Sequence, residues 1–129
     1  MPSLKVLIVD DDAESRGLLC EVLEANGYAV SAVEDGLAAR EMLSRDGNYR
    51  IVIADLRMPK ESGLELLRNL RRQNAKQDLI LMSSFISGPE RKSALDLGVH
   101  AMLEKPFRLS ELLEIVAELA GKDRIGIAQ

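Results

Sequence analysis

The sequence lacks the residues on which several common classes of protein depend. It has a single cysteine, Cys20, no tryptophan, two phenylalanines and two tyrosines. One cysteine cannot form an internal disulfide or a thiolate metal centre. So few aromatic rings also argue against a stacking platform for single-stranded nucleic acid or for sugars. Because the chain has no low-complexity stretch or repeat, its organisation has to be inferred from hydrophobic periodicity.

Positive charge and long apolar runs are also scarce. Lys and Arg number 17 against 21 Asp and Glu, a formal net charge of -4, which provides no electrostatic footprint for a polyanion. The longest early apolar run, 6–9, is far shorter than the about 20 apolar residues that span a bilayer, and no segment resembles a secretory signal. We therefore expect one cytoplasmic domain that contacts neither nucleic acid directly nor a membrane.

Short apolar runs that predict strands alternate with helical patterns. Runs rich in β-branched residues and bounded by polar turns are typical of strands covered on both faces. Four such runs span 4–9, 51–54, 79–82 and 101–104, and a weaker run at 28–33 is assigned to an edge strand. Five β-α units in series predict an α/β fold, in which a doubly wound, five-stranded parallel sheet carries helices on both faces.

Each helical pattern has a start or stop signal in the sequence. The predicted starts are about Ala13, Asp35-Gly36, Ser62, Ser87 and about Ser110. The first pattern has Leu18 on its apolar face and ends at Asn26-Gly27, and the last ends at Gly121. The basic residues around Arg71 are interpreted as the solvated face of the third helix.

Polar side chains follow the predicted strands at the points where those strands end. Asp10 and Asp11 follow the first strand, and Asp55 follows the third. Ser83 and Lys105 take the same place after the last two strands. In an open α/β sheet these ends share one crevice at the topological switch point, where ligands bind. The sequence therefore concentrates three carboxylates, a hydroxyl and an ammonium group in one place.

The charges of this crevice indicate its chemistry. Three carboxylates and one lysine sum to about -2, and like charges so close raise one another's pKa unless a cation compensates. A site with oxygen ligands only favours a hard divalent ion, and Mg2+ is the expected cofactor. A metal and a lysine together stabilise charge on a transferring phosphoryl group, and a carboxylate can be the nucleophile that accepts it.

Four motifs together resemble the receiver domain of two-component response regulators, of the chemotaxis-regulator type. They are Val9-Asp10-Asp11, Asp55-Leu56-Arg57-Met58-Pro59, Ser83-Ser84 and Lys105-Pro106-Phe107. The resemblance implies a flavodoxin-like fold with strand order 2-1-3-4-5 and a signalling switch that is not an enzyme, although it assists its own phosphotransfer and autodephosphorylation. It also implies phosphorylation by a histidine kinase or a histidine phosphotransfer protein. We expect residues 1–121 to form this domain and 122–129 a short tail.

The resemblance also implies a role for each acidic residue of the crevice. Asp55 would be the phospho-acceptor. Asp11, Asp55 and the backbone carbonyl of Arg57 would ligate Mg2+ directly, and Asp10 would act through a metal-bound water. Since the tail is too small for an output domain, the phosphorylated form would act on a downstream protein target or on a fused output domain outside this chain.

The remaining motif residues are expected to respond to the phosphoryl group. Lys105 would pair with Asp55 before the transfer and with a phosphoryl oxygen after it. The Ser83 hydroxyl would bond a second phosphoryl oxygen, while the small Ser84 would leave the acceptor accessible. The resemblance further implies a cis peptide bond before Pro106.

The sequence departs from the family pattern at three positions. Met102 stands where the family usually has the aromatic residue that turns inward on activation. Arg57 and Phe85 flank the path of the water that would hydrolyse the acyl phosphate, so we expect them to lengthen its life. The switch is therefore expected in the 83–88 loop, with Phe85 changing its exposure and Met102 repacking passively.

Two other functions are compatible with parts of the sequence. An acidic stretch after an apolar strand resembles the first motif of haloacid-dehalogenase-type phosphatases, with Asp10 as nucleophile and Asp12 as acid/base. That motif expects Thr or Val where this chain has Glu14. A degenerate receiver that acts only as a protein-interaction module is the second alternative, and it would be expected to lack one of the acidic residues or Lys105.

Overall fold

The computed structural model describes residues 4–128, with side chains described as far as residue 121. Within this range strands and helices alternate along the chain. The strands are β1 (Lys5–Val9), β2 (Ala29–Val33), β3 (Tyr49–Asp55), β4 (Asp78–Ser83) and β5 (Ala101–Glu104). The helices are α1 (Ala13–Ala25), α2 (Gly36–Arg45), α3 (Gly63–Arg72), α4 (Gly88–Asp96) and α5 (Leu109–Ala128). Every predicted element is present.

The strands form one parallel sheet in the order β2-β1-β3-β4-β5. This confirms the α/β fold class and the strand order implied by the sequence resemblance. β1 pairs with β2 on one side and with β3 on the other, so that Ile8 lies opposite both Ala32 and Ile53. The connection from β1 leads to β2 on one side of it, and the chain then crosses to add β3 on the other side. The carboxyl ends of β1 and β3 therefore flank the topological switch point.

Two apolar cores, one on each face of the sheet, explain why the central strands are apolar without interruption. Val6 and Ile8 of β1 belong to the core that α1 and α5 cover. Leu7 and Val9 point to the opposite face and pack with residues of α2, α3 and α4. All four side chains are fully buried, and each such burial stabilises the fold by roughly 1.5–3 kcal/mol.

Capping hydrogen bonds confirm four of the five predicted helix starts, and α5 begins at Leu109, next to the predicted Ser110. Asp35 Oδ1 accepts from the backbone N–H of Ala38 at 2.9 Å, and Asp12 caps α1 in the same way. Ser62 and Ser87 each form a complete capping box with the glutamate three residues later. These bonds satisfy N–H groups that have no partner inside the helix, each contributing about 1 kcal/mol.

The predicted end of the last helix is wrong. The backbone of α5 stays helical to Ala128, whereas the sequence predicts a helix end at Gly121. Of the predicted tail over 122–129, residue 129 lies outside the described residues. A glycine ends a helix when it takes up a positive φ, as Gly27 does after α1 at 91°. Gly121 does not adopt a positive φ.

No helix among the described residues, α5 included, is long and apolar enough to cross a membrane.

Two side chains lie on a different side of their helix from the one predicted. Leu18 was expected on the inner face of α1, but it is 49% exposed because Leu19 and Leu23, one turn apart, occupy that face. Arg71 was expected in solvent, yet its guanidinium donates to the carbonyls of Leu97 and Gly98 at 2.8 and 3.2 Å. It thereby ties the end of α3 to the end of α4, where the carbonyls lack partners within the helix.

Candidate functional site

The carboxyl edge of the sheet brings together the polar residues that the sequence singled out. Asp10 and Asp11 follow β1, while Asp55 ends β3. Carboxylate oxygens of these three residues lie within 4.8 Å of one another. Lys105 follows β5 directly, and its backbone N–H donates to the carbonyl of Ser83 at 2.7 Å, which joins the ends of β4 and β5.

Asp55 is held between a backbone donor and a cation. Its Oδ1 accepts from the backbone N–H of Arg57 at 3.0 Å, and its Oδ2 accepts from Lys105 Nζ at 2.7 Å. Burial lowers the pKa of Lys105, but the hydrogen bond and the negative charge of Asp55 outweigh it, so the pKa lies above its ordinary value. The Lys105–Pro106 peptide bond is cis, as the resemblance implied. Asp55 is buried, with 8% of its surface exposed.

Asp10 is fully buried and only half satisfied. Its Oδ1 accepts from the backbone N–H of Asp12 at 3.0 Å, and its backbone carbonyl accepts from Arg16 at 2.7 Å. Its Oδ2 has no hydrogen-bond partner among the described residues, and Lys105 Nζ is 3.9 Å away. An unsatisfied buried carboxylate oxygen is costly, so this atom marks a place where a cation or a metal-bound water fits.

Together the three carboxylates suit a hard divalent cation. Asp10 and Asp55 are buried, while Asp11 is exposed at the mouth of the crevice. Against three negative charges the site holds one lysine, Lys105, which leaves an excess of about -2. Oxygen donors with room for water are the ligand set that Mg2+ prefers. The residues present therefore fit the metal that the sequence predicts.

The Ser83 hydroxyl is engaged within its own loop. Ser83 is buried, and its Oγ donates to the carbonyl of Phe85 at 2.8 Å and accepts from the backbone N–H of Phe85 at 3.3 Å. Ser84 is exposed. The Phe85 ring is 62% exposed, and the backbone of Phe85 makes the contacts to Ser83. Met102 is half-buried and packs against the core under α2, α3 and α4.

Arg57 makes a contact that the sequence did not predict. Its guanidinium forms a fork with the two carboxylate oxygens of Glu90 at 3.1 and 2.8 Å, and it also donates to the carbonyl of Phe85 at 3.1 Å. The bond from Arg57, followed by the bond from the Ser87 backbone, holds the pKa of Glu90 below its ordinary value. The capping-box spacing identified Glu90 as the N-terminal glutamate of α4 but gave no signal for a partner 33 residues away.

Comparison with known proteins agrees with this fold. The family model for the response regulator receiver domain matches residues 6–117. The chain is 36% identical over 123 residues to the response regulator MprA of Mycobacterium ulcerans, an alignment that covers 95% of this chain and 53% of that protein. The homologous MprA of Mycobacterium leprae is 38% identical over 116 residues, which are 90% of this chain and 50% of that protein.

Solved structures show the same architecture. A response regulator receiver protein from Pseudomonas putida superposes with a TM-score of 0.86 at 34% identity, covering 92% of this chain and 98% of that one. The chemotaxis protein CheY4 of Vibrio cholerae gives a TM-score of 0.83 at 25% identity, covering 91% and 98%. The architecture is thus that of a flavodoxin-like domain of the CheY type.

The chain belongs to the response regulator receiver family. It is a receiver domain of two-component systems rather than a classical enzyme, and the family places it in phosphorylation-dependent signalling. This membership removes the phosphatase alternative considered for the acidic stretch after β1. The chain spans about half the length of the curated relatives that it matches.

Proposed function

We propose that Asp55 accepts a phosphoryl group from a histidine kinase or a histidine phosphotransfer protein. The observation that carries the proposal is the hydrogen bond of 2.7 Å between Asp55 and Lys105, in a crevice that holds two further carboxylates within 4.8 Å. A nucleophilic carboxylate beside a fixed cation is the equipment for phosphoryl transfer, because the lysine stabilises charge on the transferring oxygens.

The bonds that change in the transfer lie between the donor, the phosphoryl group and Asp55. One Asp55 oxygen attacks phosphorus, and an O–P bond forms while the N–P bond of a phosphohistidine breaks. The electron pair of that bond goes to the imidazole nitrogen, which then takes a proton from water. In-line positioning and charge stabilisation therefore account for most of the rate.

Mg2+ is proposed as the cofactor of the transfer. Asp11, Asp55 and the backbone carbonyl of Arg57 would hold the ion directly, and Asp10 would hold it through a water. When bound, Mg2+ neutralises the excess charge of the crevice and of the incoming phosphoryl oxygens. The unsatisfied Oδ2 of Asp10 supports this assignment, since a metal-bound water would donate to it.

Two groups are proposed to contact the phosphoryl group once it is attached. Lys105 exchanges its bond with Asp55 Oδ2 for one with a phosphoryl oxygen. Ser83 turns its hydroxyl from the Phe85 carbonyl to a second oxygen, while the small Ser84 leaves room at the acceptor. The 83–88 loop then carries the switch, and Met102 repacks without directing it.

Phosphoryl lifetime, output and location complete the proposal. Phe85 and Arg57 slow hydrolysis of the acyl phosphate by limiting the access of water. Residues 1–121 act as the receiver unit in the cytoplasm, and the phosphorylated form binds a downstream protein or signals to a fused output domain. The curated relatives, which are about twice as long as this chain, support the second of these outputs.

Incubation with acetyl phosphate and Mg2+, followed by Phos-tag electrophoresis, tests the proposal. Wild-type protein is expected to give a retarded band, and Asp55→Asn is expected to give none, because an amide cannot form an acyl phosphate. Asp12→Asn is the matched control, since asparagine also caps α1. Unchanged retardation in Asp55→Asn would refute the assignment, and no retardation in wild type would favour the degenerate receiver.

A further inference from the structure

Two groups near the phosphorylation site hold the same backbone carbonyl. The Ser83 hydroxyl donates to the Phe85 carbonyl at 2.8 Å, and the Arg57 guanidinium donates to it at 3.1 Å. The remaining donors of Arg57 form the fork to Glu90 in the first turn of α4. Arg57 therefore connects three segments: the loop after β3, the loop after β4 and the start of α4.

Arg57 is also the charged side chain nearest in sequence to Asp55 on its C-terminal side. Its own backbone N–H donates to Asp55 Oδ1 at 3.0 Å. The side chain is 51% exposed and that of Glu90 is 26% exposed. Solvent at this exposure screens the attraction between the two charges, so an anion of higher charge within reach competes with Glu90 for the guanidinium.

A phosphoryl group on Asp55 would be such an anion. It brings a charge of about -1.5 to -2 and three strong acceptor oxygens, against the single charge of Glu90. Arginine recognises phosphate oxygens with two parallel hydrogen bonds, as it does carboxylates. When Arg57 leaves Glu90 for the phosphoryl group, it therefore replaces one bidentate contact with another, to an anion of higher charge.

We propose that the fork from Arg57 to Glu90 is a latch that holds the 84–87 segment in its unphosphorylated position and opens when Arg57 turns to the phosphoryl group. The inference rests on the proposed phosphorylation of Asp55. Opening removes Arg57 from the Phe85 carbonyl at the same time as Ser83 leaves it, so that this carbonyl loses both of its side-chain donors. The exposed Phe85 segment then moves. No aromatic side chain at position 102 takes part in this movement, because residue 102 is a methionine.

The latch can open without unwinding α4. Glu90 Oε1 also accepts from the backbone N–H of Ser87 at 3.0 Å, and Ser87 Oγ accepts from the backbone N–H of Glu90 at 3.1 Å. These bonds remain when Arg57 departs. The capping box thus keeps the start of α4 helical. The departure of Arg57 therefore shifts the position of α4 without unwinding it.

The affinity for beryllium fluoride in the presence of Mg2+ tests the latch, since this complex imitates a phosphoryl group on a carboxylate. Glu90→Gln keeps the capping box, which accepts Gln in place of Glu, but weakens the fork. It is expected to tighten binding about two- to fivefold, the range of an exposed ion pair. Arg57→Gln is expected to weaken binding, and adding Glu90→Gln to it should change nothing further.

The matched control is Glu104→Gln. Glu104 forms an exposed ion pair with Arg91 of α4 at 2.8 Å, so the variant removes the same charge without touching the latch. Its affinity is expected to equal that of wild type. Equal tightening by Glu90→Gln and Glu104→Gln would show a general charge effect and overturn the latch.

A second readout is independent of affinity. Without beryllium fluoride, the Phe85 amide resonance of Glu90→Gln is expected to lie part of the way toward its position in the wild-type complex, because the open state gains population. An unmoved resonance together with unchanged affinity would refute the latch alone. A folded wild type that binds no beryllium fluoride would refute the proposed function, and the latch with it.

Discussion

Asp10 and Asp55 are both buried carboxylates, but their surroundings equip them for different tasks. Asp55 has a donor on each oxygen, one of them the ammonium group of Lys105. Asp10 has one oxygen fixed by the backbone and one without a hydrogen bond. The first arrangement suits the phospho-acceptor role proposed for Asp55, and the second suits the contact with a metal-bound water proposed for Asp10.

Asp11→Asn is expected to weaken Mg2+ binding by about tenfold or more, because it would remove the charge of a proposed direct ligand. Without metal the same variant is expected to melt at a higher temperature than wild type, since the like charges of the crevice are reduced. Titration calorimetry and thermal melts in a chelator measure both effects, with Asp12→Asn as control. An Mg2+ affinity equal to wild type would show that Asp11 is not a ligand.

Lys105→Met is expected to retain Mg2+ binding and still to accept a phosphoryl group, although more slowly than wild type, while losing the structural response. The carboxylates that would hold the metal remain, but no ammonium group is left to follow the phosphoryl oxygens. Chemical shifts over 86–119, recorded before and after phosphorylation, measure the response. If mutant and wild type showed shift changes of the same size, Lys105 would not transmit the signal.

Among the helices, α3 and α4 differ in how firmly they are attached. α3 buries Leu66, Leu67 and Leu70, whereas the buried side chain of α4 is Ala94. Polar contacts hold much of the rest of α4, at its start through Glu90 and at its end through Arg71. A helix with so small an apolar contact moves at low cost, which is the property that a responding element needs.

The start of α3 offers a direct measure of helix capping. Ser62→Ala is expected to lower the free energy of unfolding by about 1 kcal/mol, because a backbone N–H loses its partner. Ser62→Asn should retain most of the stability, since asparagine is an equally good cap. Chemical denaturation of the three proteins makes the comparison, and an alanine variant as stable as wild type would contradict the capping role.

The same cap has a pH dependence. The backbone N–H of Ser62, and then its hydroxyl, hold the pKa of Glu65 below the ordinary value of 4.5. Since the pKa is lower in the folded state, this contribution to stability is fully present above the unfolded pKa and disappears as pH falls through the folded pKa. In Ser62→Ala the pKa of Glu65 should rise only in part, because the backbone donor remains, as carboxyl NMR titration would show.

The strands could be predicted from the sequence because burial on both faces requires uninterrupted apolar runs. The helix starts could be predicted because a capping side chain binds a backbone N–H only two or three residues away. The side toward which a helix turns was harder to predict. Leu18 and Leu19 are adjacent leucines, and only packing on the sheet decides that Leu19 is the buried one. Gly121 was misread because glycine ends a helix by its φ angle, which composition does not encode.

At the scale of the whole molecule, the parallel topology creates the site. Residues as distant as Asp10 and Lys105 meet because every strand ends at the same edge, with Lys105 Nζ 3.9 Å from Asp10 Oδ2. The alternation of elements predicts this convergence. The contact between Arg57 and Glu90 could not be predicted, since it depends on the path of two loops and on side chains long enough to meet across them.

Locating the phosphoryl group in the chain decides whether Asp55 carries it. Borohydride reduction of the phosphorylated protein converts an aspartyl phosphate to homoserine, which tryptic peptide mapping can place. Peptide 51–57 contains a single side-chain carboxylate, that of Asp55, and peptide 6–16 contains Asp10, Asp11 and Asp12. With Asp55 as the acceptor, homoserine is expected in peptide 51–57. Homoserine in peptide 6–16 instead would show that a carboxylate after β1 accepts the group.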